Sequence, residues 1–547
     1  MRTIYTNGEI ITVDRHSPQA EAVVVSRGRI LFAGSQEEAM RYRRGRTRVV
    51  DLAGKVMLPG FIDAHSHFLS ALLLTDFVDL SSPPAGSVTS IHDVQELLRK
   101  AVSERRMKRG ATLLACGYDH SRLSDGRDPT RDDLDAVSRE HCICIMHQSA
   151  HTGVVNSAVL EKFAITESTP DSDGGIYQRY DGSNRPNGRV EEHAFQDLLR
   201  SLVSVPGPLK LARWIRSGVR KYSSFGITTA QEGALEKMLL PIAQVGRVLR
   251  LFAIDIVAYC VVNRSEGFSL LDRSPKHFRY RSGFRIGGAK YLLDGSPQRK
   301  TAWLSAPYLQ PPPGRDGDYC GYPVVPDAAE VTAVYEGCIR RGLQVLTHAN
   351  GDAACEQLIT CYAAARENLR STADLRPVMI HAQTVREDQL DRMTSLGMIP
   401  SFFVAHTFFW GDWHRDSVLG EPRAGNISPL RWARERNMPF TLHQDSPVVP
   451  PDMLFTIWSA VTRETRSGKV LGEHQRIPPM EAVRAVTLDA ACQYGEEQDK
   501  GSIERGKVAD FVILDRNPLT VPSDDIRHIR VVETIKSGRT IYRADRG

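Results

Sequence analysis

Val56-Met57-Leu58-Pro59-Gly60-Phe61-Ile62-Asp63-Ala64-His65-Ser66-His67 is an apolar run that ends in two histidines one residue apart. It reads as a buried strand. Side chains alternate across a strand, so His65 and His67 project from the same face. Two neutral imidazoles converging on one side form a bidentate grip for a divalent transition metal. A bare His-x-His is more often two unrelated strand-end residues, so the residues downstream decide between the readings.

Working outward, the middle of the chain alternates strand-like and helical stretches, the mark of βα units and a parallel sheet. After the strand that carries His65 and His67, seven more are expected: 226–232, 251–256, 285–291, 344–348, 377–381, 397–402 and 439–445. Eight strands with helices between them predict a (β/α)8 TIM barrel, whose chemistry sits at the carboxyl ends of its strands. About 150 residues lie between the first two strands, far more than one helix needs. This predicts an inserted cap subdomain over residues 70–222, containing strand-like runs at 111–116 and 141–146. Both chain ends look different from the middle. Glu9–Val13, Ala22–Val25 and Arg29–Gly34 at one end, and Ala509–Leu514 and Val531–Ile535 at the other, are short strands broken by turns. Residues 1–55 and 500–547 are therefore expected to build one composite β domain, leaving 56–499 to the barrel.

The 547 residues are ordinary in composition, with 41% hydrophobic and 25% charged. A net charge of +5 on this length argues against a nucleic-acid surface, which needs a clustered basic stripe. The basic run Arg41–Arg48 is read as a solvated surface segment. Nine cysteines form no regular framework, and Cys142-x-Cys144 has the wrong spacing for a Cys-x-x-Cys motif. They read as reduced thiols in the cytoplasm. No apolar run reaches transmembrane length, so no membrane partner is expected.

The polar residues at the expected strand ends are His65, His67, Lys290, His348, His381 and Asp445. Four histidines and an aspartate suit zinc or a similar borderline metal. Asp445 could ligate a metal and also accept a proton from bound water, whose pKa a metal lowers toward neutrality. A protonated Lys290 beside divalent ions would be repelled. It is expected either to stay neutral and unligated or to combine with CO2 to give a carbamate that bridges two ions.

These pieces together resemble the metal-dependent amidohydrolase superfamily. The matching motifs are Pro59-Gly60-Phe61-Ile62-Asp63-Ala64-His65-Ser66-His67, Lys290-Tyr291-Leu292-Leu293-Asp294-Gly295-Ser296, His348-Ala349-Asn350-Gly351-Asp352, His381-Ala382-Gln383 and Asp445-Ser446-Pro447, with the tail 500–510. The chain is most similar to the branch of YtcJ-like hydrolases and N-substituted formamide deformylases. The resemblance implies a TIM barrel with a β-sandwich made from both termini and a centre of one or two divalent ions. It implies that His65, His67 and Asp445 hold the more buried ion, that His348 and His381 hold the second, and that a carboxylated Lys290 bridges them. His151, in the expected cap, resembles a histidine of this branch and could donate to a developing oxyanion. Asp294 and Asp352 are read as orienting neighbours or holding loops.

The expected activity is hydrolysis of a carbon–nitrogen bond in a small-molecule amide, with N-substituted formamides as the specific expectation. Six aromatic residues within 401–414 suggest an apolar pocket wall. His406 and His414, in the same segment, lie too far along it to be read as ligands. The alternative substrates are N-acyl amino acids, cyclic amides or esters. A substrate carboxylate would need a cation, for which Arg299 or Arg185 is available. The intact ligand set argues against a non-catalytic binding protein. Oligomeric state stays open, a homodimer being one option.

Overall fold

The chain crosses between two sheets at Pro59-Gly60. Val56–Pro59 is one strand and Phe61–Ile62 another. The first pairs with strands from both chain ends, and Gly60 N–H still donates to Asp510 O at 2.9 Å. One residue later, Phe61 N–H donates to Gly226 O at 3.0 Å and the chain belongs to the parallel sheet. Glycine is required at the crossing, because a Cβ there would lie 2.4 Å from Thr228 Cγ2. The single strand expected over 56–67 is thus two strands in different sheets.

The structure is a computed structural model describing residues 2–83, 86–172, 174–204, 206–263, 265–272, 279–312 and 314–544. It divides into two compact units. The first comprises Met1–Leu72, Gly207–Leu292 and Asp327–Gly547, and the second Leu73–Pro206 and Leu293–Pro326.

The first unit contains an eight-stranded parallel sheet in chain order: β1 Phe61–Ile62, β2 Ile227–Leu235, β3 Asp255–Val261, β4 Phe284–Leu292, β5 Gln344–Ala349, β6 Val378–His381, β7 Ile399–Phe402 and β8 Thr441–Leu442. Intervening helices such as Ala328–Arg340, Asp352–Asn368 and Glu387–Ser395 lie in the crossovers that parallel strands need. The strands are buried nearly throughout, as expected when a parallel sheet is covered on both faces. β3 begins four residues later than the expected 251–256. Phe252 is apolar because its ring packs on Phe284 and Phe68, not because it pairs in the sheet.

The same unit holds a second eight-stranded sheet of mixed direction, built from both chain ends. Its path is Arg539–Arg543, Val531–Lys536, Phe511–Leu514, Val56–Pro59, Arg2–Ile11, Gln19–Ser26 and Arg29–Gly34, with Arg48–Asp51 also paired to Arg2–Ile11. Tyr5, Val23, Val25, Met57, Phe511 and Ile513 form its core.

The second unit has a six-stranded sheet: Gly175–Arg179, Pro186–Glu191, Thr152–Val155, Cys142–His147, Thr112–Tyr118 and Val78–Asp79. The two strand-like runs read within the insertion are adjacent and parallel here. Residues 293–326 also join this unit, for which the sequence carries no periodicity signal. All nine cysteines are free thiols. Among the described residues, no helix is long and apolar enough to cross a membrane.

Candidate metal centre

His65 and His67 follow β1, Lys290 lies on β4, His348 on β5, and His381 closes β6. Asp445 lies three residues past β8 and has a left-handed backbone, φ 54°; His381 has φ 73°. Such conformations cost about 1–3 kcal/mol for a residue with a side chain and persist only where the surroundings enforce them. Backbone bonds do so at Asp445: its N–H donates to His65 O at 3.2 Å, and His67 N–H donates to Ser446 O at 2.7 Å.

The side chains converge. Asp445 Oδ1 lies 3.4 Å from His65 Nε2 and 3.3 Å from His67 Nε2. Lys290 Nζ lies 3.3 Å from His65 Nε2. His381 Nε2 lies 3.1 Å from His348 Nδ1. One donor atom each from His65, His381 and Asp445 falls within 4.8 Å of the others. Donors bound at about 2.05 Å to a tetrahedral zinc stand about 3.3–3.4 Å apart, so the spacings around Asp445 Oδ1 match one coordination shell. That oxygen is buried and accepts no hydrogen bond. A buried, unsatisfied carboxylate oxygen flanked by imidazole nitrogens is a donor set that a divalent cation completes.

Neighbours fix which atom each histidine offers. Gln231 Oε1 lies 2.5 Å from His65 Nδ1, while Gln231 Nε2 donates to Ala64 O and Tyr494 Oη. The glutamine oxygen therefore accepts from His65 Nδ1–H and leaves the Nε2 lone pair facing Asp445 and Lys290. Glu232 is fully buried. Its Oε2 accepts from Leu69 N and Ser70 N at 2.7 and 3.0 Å, and its Oε1 stands 3.6 Å from His67 Nδ1. Gly233 must be glycine, since a Cβ would lie 2.4 Å from His65 Cε1. Orienting partners of this kind set the tautomer and basicity of metal-ligating histidines.

The electrostatics follow from burial and proximity. Burial, aided by Lys290, holds His65 well below the usual imidazole range, and burial with His348 does the same to His381. Burial pulls Lys290 down to about 7. Burial pushes the Asp445 carboxyl up, but His381, His67 and His65 outweigh it and hold the group well below the ordinary carboxylate range. Burial also opposes the charged form of His67, yet the adjacent Asp445 and Glu232 carboxylates prevail and raise it to about 9.

Sequence reasoning missed Gln231, Glu232 and His443, although all three stand near the ends of the expected strands 226–232 and 439–445. His443 Nε2 lies 3.2 Å from His381 Nδ1, and its Nδ1 lies 2.9 Å from Ser401 Oγ. The strand-end criterion that picked out His348 and His381 applies equally to them.

The remaining candidates are placed as follows. His151 belongs to the second unit, where its Nδ1 lies 2.7 Å from Glu192 Oε2. Asp294, also there, accepts from Trp303 N at 3.1 Å. Asp352 opens the helix Asp352–Asn368 and pairs with Arg386 at 3.3 Å. The aromatic segment turns helical at His406–Trp413. Phe403 lies beside the cluster, with its ring centre 5.5 Å from His443 and 6.3 Å from His381. Phe408 and Phe409 pack on Phe455. His406 and His414 pair with each other at 3.0 Å. Arg299 is committed to Asp128 through two bonds of 3.0 and 3.1 Å. Arg185 stands half exposed, 3.5 Å from Asp132.

A second triangle in the second unit looks similar and differs in its protons. Asp119 Oδ1, His120 Nδ1 and His147 Nε2 are 3.4–3.7 Å apart. Here Arg299 Nη1 donates to His120 Nδ1 at 2.6 Å, and Ser149 N–H donates to His147 Nδ1 at 2.9 Å. The first bond consumes the lone pair a metal would use. The second places the neutral His147 proton on the nitrogen that faces Asp119. A guanidinium completes this triangle where a metal would complete the first.

Residues 48–542 match the amidohydrolase family model. The chain belongs to the amidohydrolase family. Within it the chain is 27% identical to an N-substituted formamide deformylase of Arthrobacter pascens, covering 98% of this chain and 97% of that protein. It is 25% identical to a putative amidohydrolase, YtcJ, of Bacillus subtilis, with 99% of each covered. An uncharacterized metal-dependent hydrolase from Pyrococcus horikoshii shares the fold, with TM-score 0.73 and 24% identity over 96% of this chain and 99% of that one. This amidohydrolase is an enzyme that hydrolyses carbon–nitrogen bonds other than peptide bonds, and it sits in the branch of the deformylase and YtcJ.

Proposed function

We propose that this amidohydrolase removes the formyl group from N-substituted formamides at a zinc centre held by His65, His67, His348, His381 and Asp445. The observation that carries the reading is the convergence of His65 Nε2 and His67 Nε2 on the unsatisfied Asp445 Oδ1. One or two zinc ions bound there supply an activated water and a Lewis acid for the amide carbonyl. Asp445 then takes the proton released as water attacks the carbonyl carbon and returns it to the leaving nitrogen, as microscopic reversibility permits. Lys290, buried among the ligands, would combine as the free amine with CO2, losing a proton and gaining a carboxylate that would help hold the metal. Burial favours that free amine. His151 is assigned the donor to the developing oxyanion, with Glu192 holding its ring. Phe403 beside the ligands suits an uncharged aryl or alkyl substituent.

The architecture proposed for this chemistry is a closed (β/α)8 barrel over 56–499, with an insertion within 70–222 and a β-sandwich from 1–55 and 500–547. The bonds between residues 65–67 and 445–446 support closure of the sheet. The free thiols suit a cytoplasmic protein.

The deciding experiment measures amine release by zinc-loaded protein from N-benzylformamide and alkylformamides against N-acetyl and N-formyl amino acids. Preferential cleavage of the uncharged formamides is expected. Preference for the amino-acid derivatives would replace the substrate assignment with an aminoacylase, and Arg299, already paired with Asp128, is poorly placed to serve it.

A further inference from the structure

His443 and Ser401 carry no assigned role, yet both are completely buried and in line with a ligand. The order is Ser401 Oγ, His443 Nδ1, His443 Nε2, His381 Nδ1, His381 Nε2 and His348 Nδ1, with successive gaps of 2.9, 3.2 and 3.1 Å. Two directions of hydrogen bonding are open to this row. In one, Ser401 donates and every proton points toward His348, leaving His381 Nε2 protonated and unable to bind a metal. In the other, Ser401 accepts and every proton points back, leaving a lone pair on His381 Nε2.

Asn350 Nδ2 donates to His348 Nε2 at 3.0 Å, which puts the proton of the neutral His348 ring on Nδ1, 3.1 Å from His381 Nε2. That proton needs a lone pair on His381 Nε2, which selects the second direction, and a cation held by both rings would take the proton's place. The 3.1 Å separation is close to the edge of a zinc coordination shell, about 3.3 Å. The hydroxyl permits this direction, because it can accept as readily as donate by rotating.

We propose that Ser401 and His443 are positioning residues for the second metal ion: Ser401 Oγ accepts from His443 Nδ1–H, His443 Nε2 accepts from His381 Nδ1–H, and the His381 Nε2 lone pair is turned onto the metal. The inference rests on the metal centre proposed above and adds to it a tautomer and two residues. β7 and β8 are neighbours in register at Ser401 and Thr441, and His443 N–H donates to Phe402 O at 3.1 Å. The row is therefore held by the sheet itself.

The test is titration of metal-stripped protein with Co2+, read by visible absorption and by metal content, in wild type, His443→Gln, His443→Leu and Ser401→Ala. Glutamine can accept from His381 with its oxygen and donate to Ser401 with its nitrogen, so His443→Gln should keep two ions. His443→Leu should weaken the second ion by about 10–100-fold, the usual cost of losing an orienting partner. Ser401→Ala, which deletes one oxygen, should weaken it less, with the first ion unchanged in both. Thermal melting of each variant separates this from misfolding. Equal affinity in all four proteins would overturn the inference and leave the centre intact. Loss of the ion in His443→Gln as severe as in His443→Leu would overturn it differently, making His443 a ligand. A wild type that binds no Co2+ would remove the centre and the inference together.

Discussion

Two buried clusters of ionisable groups lie in the first unit, and they treat charge in opposite ways. At the amino end of β3, Lys500 Nζ touches Asp255 and Glu496 at 2.6 and 2.8 Å, and Lys536 Nζ touches Asp255 and Asp510 at 2.6 and 2.7 Å. Arg285 adds a bond of 2.9 Å to Glu496. Three cations meet three carboxylates, and each charge is answered within the protein. Burial pushes Asp255 up, but Lys536 and Lys500 outweigh it and bring the group down to about 2. Near the carboxyl ends of the strands the ligand cluster goes the other way. Burial draws Lys290 to about 7 and His443 to about 3, both toward the neutral form, while Asp445 Oδ1 stays unsatisfied. One cluster completes itself and holds the terminal sheet to the parallel sheet. The other is complete only with a cation from outside. Its unsatisfied oxygen, more than its burial, marks the functional end.

The sharpest break in this comparison comes from exchanging one carboxylate in each cluster. Asp445→Asn should lower kcat on the best amide substrate by about 10²–10⁴-fold, the span attributed to a general acid–base group. It should keep metal by elemental analysis and melt near the wild-type temperature. Full turnover would remove Asp445 from proton transfer. Asp255→Asn should do the reverse. It leaves two buried ammonium groups short of a partner, a change that costs about 3–5 kcal/mol in comparable pairs. Urea unfolding should show that loss while metal content is unaltered.

Lys290→Ala should lower the bound metal from two ions to one, and a short carboxylate such as propionate should partly restore turnover by standing in for the carbamate. Unchanged stoichiometry would exclude the bridge. Gln231→Leu frees His65 to rotate and change tautomer, and should weaken metal binding by about 10–100-fold in a chelator competition. The smallest effect is one of pH. The folded pKa of Asp255, about 2, lies below its unfolded value of about 3.9. Its contribution is therefore full above about pH 4 and disappears as pH falls through about 2. Melting temperature between pH 5 and 2 should fall more steeply in wild type than in Asp255→Asn.

Much of this arrangement is legible in the sequence because a parallel strand carries its own signal. Short runs of strand-forming residues separated by helical stretches locate β2, β4, β5, β6 and β7 nearly where they occur, and Lys290, His348 and His381, at or near the ends of β4, β5 and β6, belong to the converging side chains. The signal weakens where apolarity serves packing. Leu251-Phe252-Ala253 belongs to a helix contact, and β3 starts only at Asp255. It also weakens where one apolar run serves two sheets, as at Pro59-Gly60. The segment 401–414 is rich in aromatics whether they line a pocket, as Phe403 beside His381 could, or pack on Phe455, as Phe408 and Phe409 do.

Residue type and strand-end position, both local properties, were sufficient to point to a parallel α/β hydrolase with His65, His67, Lys290, His348, His381 and Asp445 near one another. What only the tertiary structure decided is which lone pairs remain. Asp119, His120 and His147 have the residue types and spacing of a metal site, yet Arg299 and Ser149, distant or differently directed in the sequence, use up their acceptors. In the first cluster Gln231 accepts from His65 Nδ1–H and leaves the Nε2 lone pair facing Asp445 and Lys290, whose amine burial draws toward the neutral form. Hydrogen-bond direction depends on partners brought together from far along the chain, and no local pattern of residues records it.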